Sequence, residues 1–228
     1  FEIGDRFFSS RKVDKKKFFN IDLISFAIFN LAGLLLANPL ALYFSKFTLP
    51  HFEFLAIIPS FAKILLAIII NDFILYWIHR LMHKVPFLWK LHTWHHSIEE
   101  MYWFSGFRAS FFHCWFFIVS RVGTAILVMN LNSIEMLVFY SIGAFLQFNM
   151  HTSFNIKGKL LELFVVTPRY HSVHHANGLT DDRNLAFVLP VWDHIFGTYK
   201  DPDLMPENYT TGLREPSQSS LFRQLLGI

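Results

Sequence analysis

The chain has 228 residues, of which 53% are hydrophobic, 28 are Phe and only 16% are charged, with a formal net charge of +3. That apolar surplus exceeds soluble usage and lies in long runs, which points to an integral membrane protein. The lone Cys114 excludes a disulfide framework, a Cys-ligated zinc module and a Cys-ligated iron–sulfur cluster, and the modest positive charge suits anionic headgroups without invoking nucleic acid.

In chain order, a basic segment over residues 1–20 carries Arg6, Arg11, Lys12, Lys15, Lys16 and Lys17. The apolar run Ile21–Phe44 that follows is of spanning length and too long for the apolar core of a simple signal peptide. Lys63–Trp77 forms a second span, alone or extended backward through Pro59. Phe111–Leu131 and Ile134–Met150 read as an antiparallel hairpin around the turn Asn130-Leu131-Asn132-Ser133. The expectation is an all-α single domain over 1–228 with about four transmembrane helices, a cytoplasmic helical cap and a polar tail over 201–228. Arg121 falls inside the third span, where a charge requires a partner or a water-filled cavity.

Basic residues set the orientation. The 1–20 segment, then Arg80, Lys84, Lys90 and Arg108, then the C-terminal tail, fall on one side of four spans, while the opposite loops hold almost only Lys46. By the positive-inside bias that side is the cytoplasm, of a bacterial inner membrane or of the endoplasmic reticulum. Trp77, Trp89, Trp94 and Trp103 fit an aromatic belt at this interface. Arg108 could hold a headgroup or a structural salt bridge.

Nine of the 12 histidines cluster on the same side: His79, His83, His92, His95 and His96, then His151, His171, His174 and His175. Residues three or four apart share a helix face, so each group presents its imidazoles in one direction. Neutral imidazole binds Fe, Zn, Cu and Ni, and nine rings exceed what one ion accepts, so a dinuclear centre is the economical reading. His51, His113 and His194 stand outside these clusters and are left out of the site. Asp72, seven residues before His79, and Asp193 are candidate acids to accept the imidazoles' outer N–H groups.

Several devices are missing from the sequence. It has no Gly-x-Gly-x-x-Gly turn and no P-loop; it has neither His-Glu-x-x-His nor Glu-x-x-His. The metal site is therefore expected to be nearly all imidazole, and with no His-Pro-Gly-Gly stretch of a haem domain in this sequence, any electrons needed are expected from a separate protein.

The ordered set His79-Arg80-x-x-His83, Leu88-Trp89-x-x-His92-x-x-His95-His96-Ser97, Thr167-Pro168-x-x-His171-x-x-His174-His175 and Leu189-Pro190-x-Trp192-Asp193-x-x-Phe196-Gly197-Thr198-Tyr199 resembles the fatty acid hydroxylase / sterol desaturase superfamily. The resemblance runs from about Asp72 to Asp203. It implies two non-haem irons, O2 as co-substrate, and hydroxylation of an unactivated C–H bond in a membrane lipid such as a fatty acyl chain or sterol, with desaturation by the same site as the alternative. Electrons would come from a separate cytochrome b5-like or ferredoxin-like protein with its reductase. The eight box histidines would be metal ligands, His151 matches a further histidine, and Asn155 stands where some relatives place another, a candidate additional ligand. Many bacterial relatives read Gly-Phe-Arg-x-His-Pro where this chain has Gly106-Phe107-Arg108-Ala109-Ser110-Phe111, and Asn-Tyr-Gly where it has Asn184-Leu185-Ala186.

Two other classes also collect histidines. A metal transporter would place ligands near the bilayer midplane, whereas these lie beyond the apolar runs. A di-zinc hydrolase would need a carboxylate base, and no Asp or Glu lies within the boxes.

Overall fold

The structure is a computed structural model describing residues 13–47, 49–154, 158–178, 182–206, 208–215, 217 and 219–228. The candidate ligand Asn155 and the first twelve residues lie outside that set. The described elements are α1 (Lys15–Phe44), α2 (Phe52–Ala56), α3 (Ser60–Lys84), α4 (Pro86–His96), α5 (Phe111–Gly123), α6 (Ser133–Met150), α7 (Pro168–His174), α8 (Val191–Ile195) and α9 (Leu221–Leu226). One π-helical turn, Thr124–Val128, continues α5, and short 3-10 turns fall at Trp103–Phe107, Leu161–Leu163 and Pro202–Leu204. Among the described residues there is no strand, only an isolated bridge between Ala176 and Thr211.

Among the described residues, three helices are long and apolar enough to cross a membrane: Lys15–Phe44, Ser60–Lys84 and Phe111–Val128. Their outward faces are apolar, with Leu34 68% and Phe61 75% exposed, while the polar residues turn inward, His79 being only 1% exposed. That inversion is what a lipid solvent selects. The expected fourth run forms α6, whose apolar sequence is interrupted by Glu135, Gln147 and Asn149.

The long helices alternate in direction, so the start of α1, the end of α3, the start of α5 and the end of α6 meet at one end. There Lys17 pairs with Glu99, and Arg108 Nε lies 2.6 Å from Asp22 Oδ1. At the opposite end the buried pair Lys63–Glu135, at 2.8 Å, ties α3 to α6. Asn132 caps α6 by accepting from the Ile134 and Glu135 amides, while Glu135 accepts from the Asn132 amide, so both residues of the capping box also fix the turn.

The expected hairpin needs a correction. The turn forms, with Asn130 at φ 44, but α5 packs chiefly on α1 and α6 chiefly on α3 instead of along each other. Arg121 stands between them, its Nη2 donating to Gln147 Oε1 at 3.0 Å, and a side chain of that size holds the helices apart. α1 packs along α5 through Ala32, Ala109 and Cys114. In the described part of the tail, α9 packs against α4, and Gly227 approaches so closely that a Cβ there would lie 3.0 Å from the Leu91 Cα.

Candidate metal centre

Local sequence breaks aim the boxes. α3 carries His79 and His83 on its last turns and stops at Val85, which is extended because Pro86 follows, and Pro86 then opens α4. The chain thereby bends between the first two boxes, and His92, His95 and His96 on α4 fold back toward His79. The third box repeats the device in miniature: Thr167 caps α7 through the Tyr170 amide, Pro168 is its first residue, and His171 and His174 follow, with His175 at the C-cap. His151 terminates α6.

These elements sort the nine imidazoles into two groups, in each of which one nitrogen per ring lies within 4.8 Å of the others: His79, His83, His92, His96 and His174 in the first, and His95, His151, His171 and His175 in the second. In the first, His92 Nε2 is 3.0 Å from His79 Nε2 and 3.1 Å from His96 Nε2. In the second, His171 Nε2 is 3.2 Å from both His151 Nε2 and His175 Nε2. The groups adjoin, since the His96 and His175 rings stack with centroids 4.6 Å apart.

The outer nitrogens settle the tautomers. His79 Nδ1–H donates to the Leu185 carbonyl at 2.7 Å, His95 to Arg108 at 2.9 Å, His151 to Gln147 at 2.8 Å and His174 to Arg183 at 2.9 Å. Each ring is left with a bare Nε2. Burial, reinforced by neighbouring imidazoles, holds His92, His95, His96, His171, His174 and His175 well below the usual histidine range, and burial pushes His151 down to about 4. At neutral pH these rings carry lone pairs rather than charge. Bare nitrogens converging at such distances repel unless a cation lies among them, and the buried His83 Nε2 and His174 Nε2 have no hydrogen-bond partner among the described residues. An all-imidazole donor set of this kind fits first-row transition ions such as iron.

Two residues not anticipated from the sequence join the site. His113 Nδ1 on α5 lies 3.0 Å from His92 Nδ1, and Asp182 Oδ1 lies 3.2 Å from His83 Nδ1. The hydrogen bond from His83 holds the Asp182 carboxyl down at about 2, so it is an anion that accepts. A histidine inside an apolar span was itself the available signal for His113. Nothing local marks Asp182, which lies 99 residues beyond His83.

Asp72 and Asp193 behave differently from the expectation. Among the described residues neither accepts from an imidazole. Asp72 takes the amides of Val188 and Leu189 and the Trp192 indole N–H, all at 2.9 Å. Asp193 takes the Tyr170 hydroxyl, the Leu185 and Ala186 amides and the Thr198 hydroxyl. Loop amides outcompete imidazoles because they arrive in pairs from one turn, and the effect on the site is indirect: Asp193 fixes Leu185, whose carbonyl holds His79.

The 106–111 loop, divergent from many bacterial relatives, still serves the site. Its Arg108 carbonyl holds His95, Ser110 Oγ donates to the Leu91 carbonyl at 2.6 Å, and a Cβ at Gly106 would lie 3.1 Å from the His151 ring. Arg108 itself is in a buried salt bridge with Asp22, not at a headgroup. Two tryptophans of the expected belt also face inward: Trp94 donates to Ser25, and Trp89 stands 5.2 Å from the His83 and His96 rings.

The chain is 33% identical over 146 residues to human alkylglycerol monooxygenase, covering 64% of this chain and 32% of that protein. It is 29% identical over 148 residues to the ornithine lipid hydroxylase OlsE of Rhizobium tropici, 63% of this chain and 44% of the relative. It is 25% identical over 143 residues to methylsterol monooxygenase 1-3 of Arabidopsis thaliana, 61% and 48%. The chain thus spans less than half the length of these relatives. No solved structure matches it. The fatty acid hydroxylase profile matches residues 64–198, from α3 through both imidazole groups to Thr198, and the chain belongs to the fatty acid hydroxylase family.

Proposed function

We propose that the protein is a membrane lipid monooxygenase with a dinuclear iron site, one ion in each imidazole group. The single observation that carries this reading is the convergence of two adjoining all-imidazole groups, five rings and four, drawn from separate helices. Two irons would supply O2 activation and hydrogen abstraction from an unactivated C–H bond, chemistry that side chains do not offer. The protein's own groups do the rest. The carbonyls of Leu185, Arg108, Gln147 and Arg183 keep four rings in the ligating tautomer, and Asp182 and His113 engage two more. Phe187, packed 4.9 Å from the His79 ring, and the apolar surroundings keep water from the reacting carbon.

Hydroxylation is favoured over desaturation by the relatives, which are named as monooxygenases and hydroxylases. α6 serves as the fourth span, its Glu135 and Gln147 being engaged by Lys63 and Arg121. The basic residues support a cytoplasmic metal site. A pocket of about 430 Å³ reaches the first group from the polar end past Lys84, Trp89 and Arg214, a route for the protons that accompany electrons from an external donor. A hydrolase would need a carboxylate base, and the Asp182 carboxylate beside the first group is engaged by His83 and Lys84, which weighs against that role.

The test is metal analysis together with lipid mass spectrometry of cells with and without the gene. The reading expects about two irons per chain and an O2-dependent lipid product heavier by one oxygen atom. A product lighter by two hydrogens would establish the desaturase instead, and zinc with O2-independent activity would overturn oxygenase chemistry altogether.

A further inference from the structure

The segment carrying α8 is fastened to a spanning helix, and the fastening fixes its depth. α3 has 25 residues, about 37 Å of helix against about 30 Å of hydrocarbon, so an excess of roughly 7 Å is all that can protrude at its Lys84 end. Trp77 and Phe73 stand seven and eleven residues before Lys84, roughly 10 and 16 Å down the helix, and both fall inside the apolar layer. α8 lies against them: the Trp192 ring is 5.0 Å from Phe73, and the Phe196 ring is 5.0 Å from Trp77. Two carboxylates pin the segment there. Asp72, at the midpoint of α3, takes the Val188 and Leu189 amides and the Trp192 indole N–H, while Asp193 takes the Leu185 and Ala186 amides. Arg80 Nη1 donates to the Phe196 carbonyl at 3.2 Å.

Irregular backbone survives at bilayer depth only where protein satisfies its polar groups. The two acids do that here, which gives them a role that holding imidazoles would not. Polarity is inverted along the segment as it is along the spans. Asp193 is wholly buried, whereas Val191 and Ile195 are 39% and 61% exposed, beside the likewise exposed Phe73 and Trp77. His194, also exposed, stacks on Tyr199, whose neighbours include the charged Asp201 and Lys159, and so marks the polar edge of the helix. The next stretch of backbone, joined by the Val166 amide to the Val188 carbonyl, repeats the inversion: Leu163 and Phe164 are exposed while Glu162 turns in to Arg169. An apolar surface continuous with a lipid-facing helix has acyl chains as its occupant. We propose that residues 187–196 form a re-entrant wall standing in the acyl-chain layer beside α3, with Val191 and Ile195 against lipid instead of in a cytoplasmic cap. Because Asp193 fixes Leu185, whose carbonyl holds His79, one ring of the first imidazole group is then positioned from within the bilayer. The inference rests on α3 spanning the membrane and not on the oxygenase reading.

The experiment attaches a nitrobenzoxadiazole fluorophore to single-cysteine variants of the full, iron-loaded chain in dioleoylphosphatidylcholine vesicles, the buried Cys114 being replaced by Cys114→Ala. Ile195→Cys and Val191→Cys report on the wall. Leu34→Cys, on the exposed face of α1 far from either end, is the lipid standard, and Lys90→Cys, exposed on α4, is the water standard. Each label is quenched in turn by doxyl-labelled lipid and by iodide supplied on both sides of the membrane. The labels at Ile195 and Val191 should lose iodide quenching and gain lipid quenching, in step with Leu34. If Ile195→Cys does not fold, Val191→Cys decides alone. Iodide quenching at either position as strong as at Lys90, or quenching by neither agent, overturns the proposal: the first would make this face a water-exposed surface open to a soluble partner, the second a surface packed on protein. Neither metal content nor lipid product is read, so a failure of the oxygenase reading would register separately.

Discussion

The Nδ1 atoms of His92 and His113 face each other at 3.0 Å, on helices that the sequence places 21 residues apart. Only one of the two can hold the proton between them. His92 turns its Nε2 toward His79 and His96, so its Nδ1 carries the hydrogen and His113 accepts it. Removing an acceptor behind a metal-bound histidine typically costs about 10–100-fold in metal affinity. His113→Ala should therefore weaken iron binding by that amount in a chelator competition, with the helical content preserved, and His113→Asn, which keeps an acceptor, should recover part of it. Unaltered affinity in His113→Ala would remove His113 from the site.

His174→Ala and His95→Ala strike different groups and should both eliminate product formation. Each should also lower the metal content from about two irons per chain to one or fewer. Elemental analysis of purified protein beside a turnover assay checks this, and full iron with full turnover in either variant would refute the assignment.

Acid should destabilise the metal-free protein through its buried rings. Burial lowers the His151 pKa from 6.5 to about 4, so between those values the unfolded chain takes up a proton that the folded chain refuses. Stability is then complete above about pH 6.5 and falls as the pH is taken down toward 4. The other buried imidazoles, lowered further, add to the slope in the same direction. Melting curves of apoprotein across this range should show a midpoint that drops with acidification, and a flat profile would contradict the neutral, buried state of these rings.

Asp22→Ala would strand the Arg108 guanidinium, since Asp22 and Arg108 are both almost wholly buried and Asp22 also accepts from the Tyr102 hydroxyl at 2.6 Å. Breaking a buried pair from one side costs about 3–5 kcal/mol. A second effect is expected on the metal site, because the Arg108 carbonyl holds His95. Thermal unfolding and iron content should fall together, and a variant as stable as the original would show the pair to be idle.

What was legible in the sequence was what depends on near neighbours. The faces of the three histidine boxes follow from helical spacing, and the bend at Val85–Pro86 follows from proline sterics. Longer-range partners escaped: His113 and Asp182 reach their imidazoles only after α5 and the 182–185 segment dock, and a solitary residue gives no periodic signal. Asp72 and Asp193 were visible as acids near the boxes, but the loop amides that claim them come from turns whose geometry the sequence does not announce. The α5–α6 hairpin was anticipated from its turn, yet its separation depends on where the Arg121 side chain goes.

The histidines of α4 and α7 alternate between the two imidazole groups: His92 and His96 against His95 on one helix, His174 against His171 and His175 on the other. An ion captured by either group would thus clamp both helices and leave the remaining rings already oriented for the next. Loading should be all-or-none in character, with singly charged intermediates scarce during titration, and a cell short of iron would hold a mixture of fully equipped and fully empty molecules rather than a half-filled population.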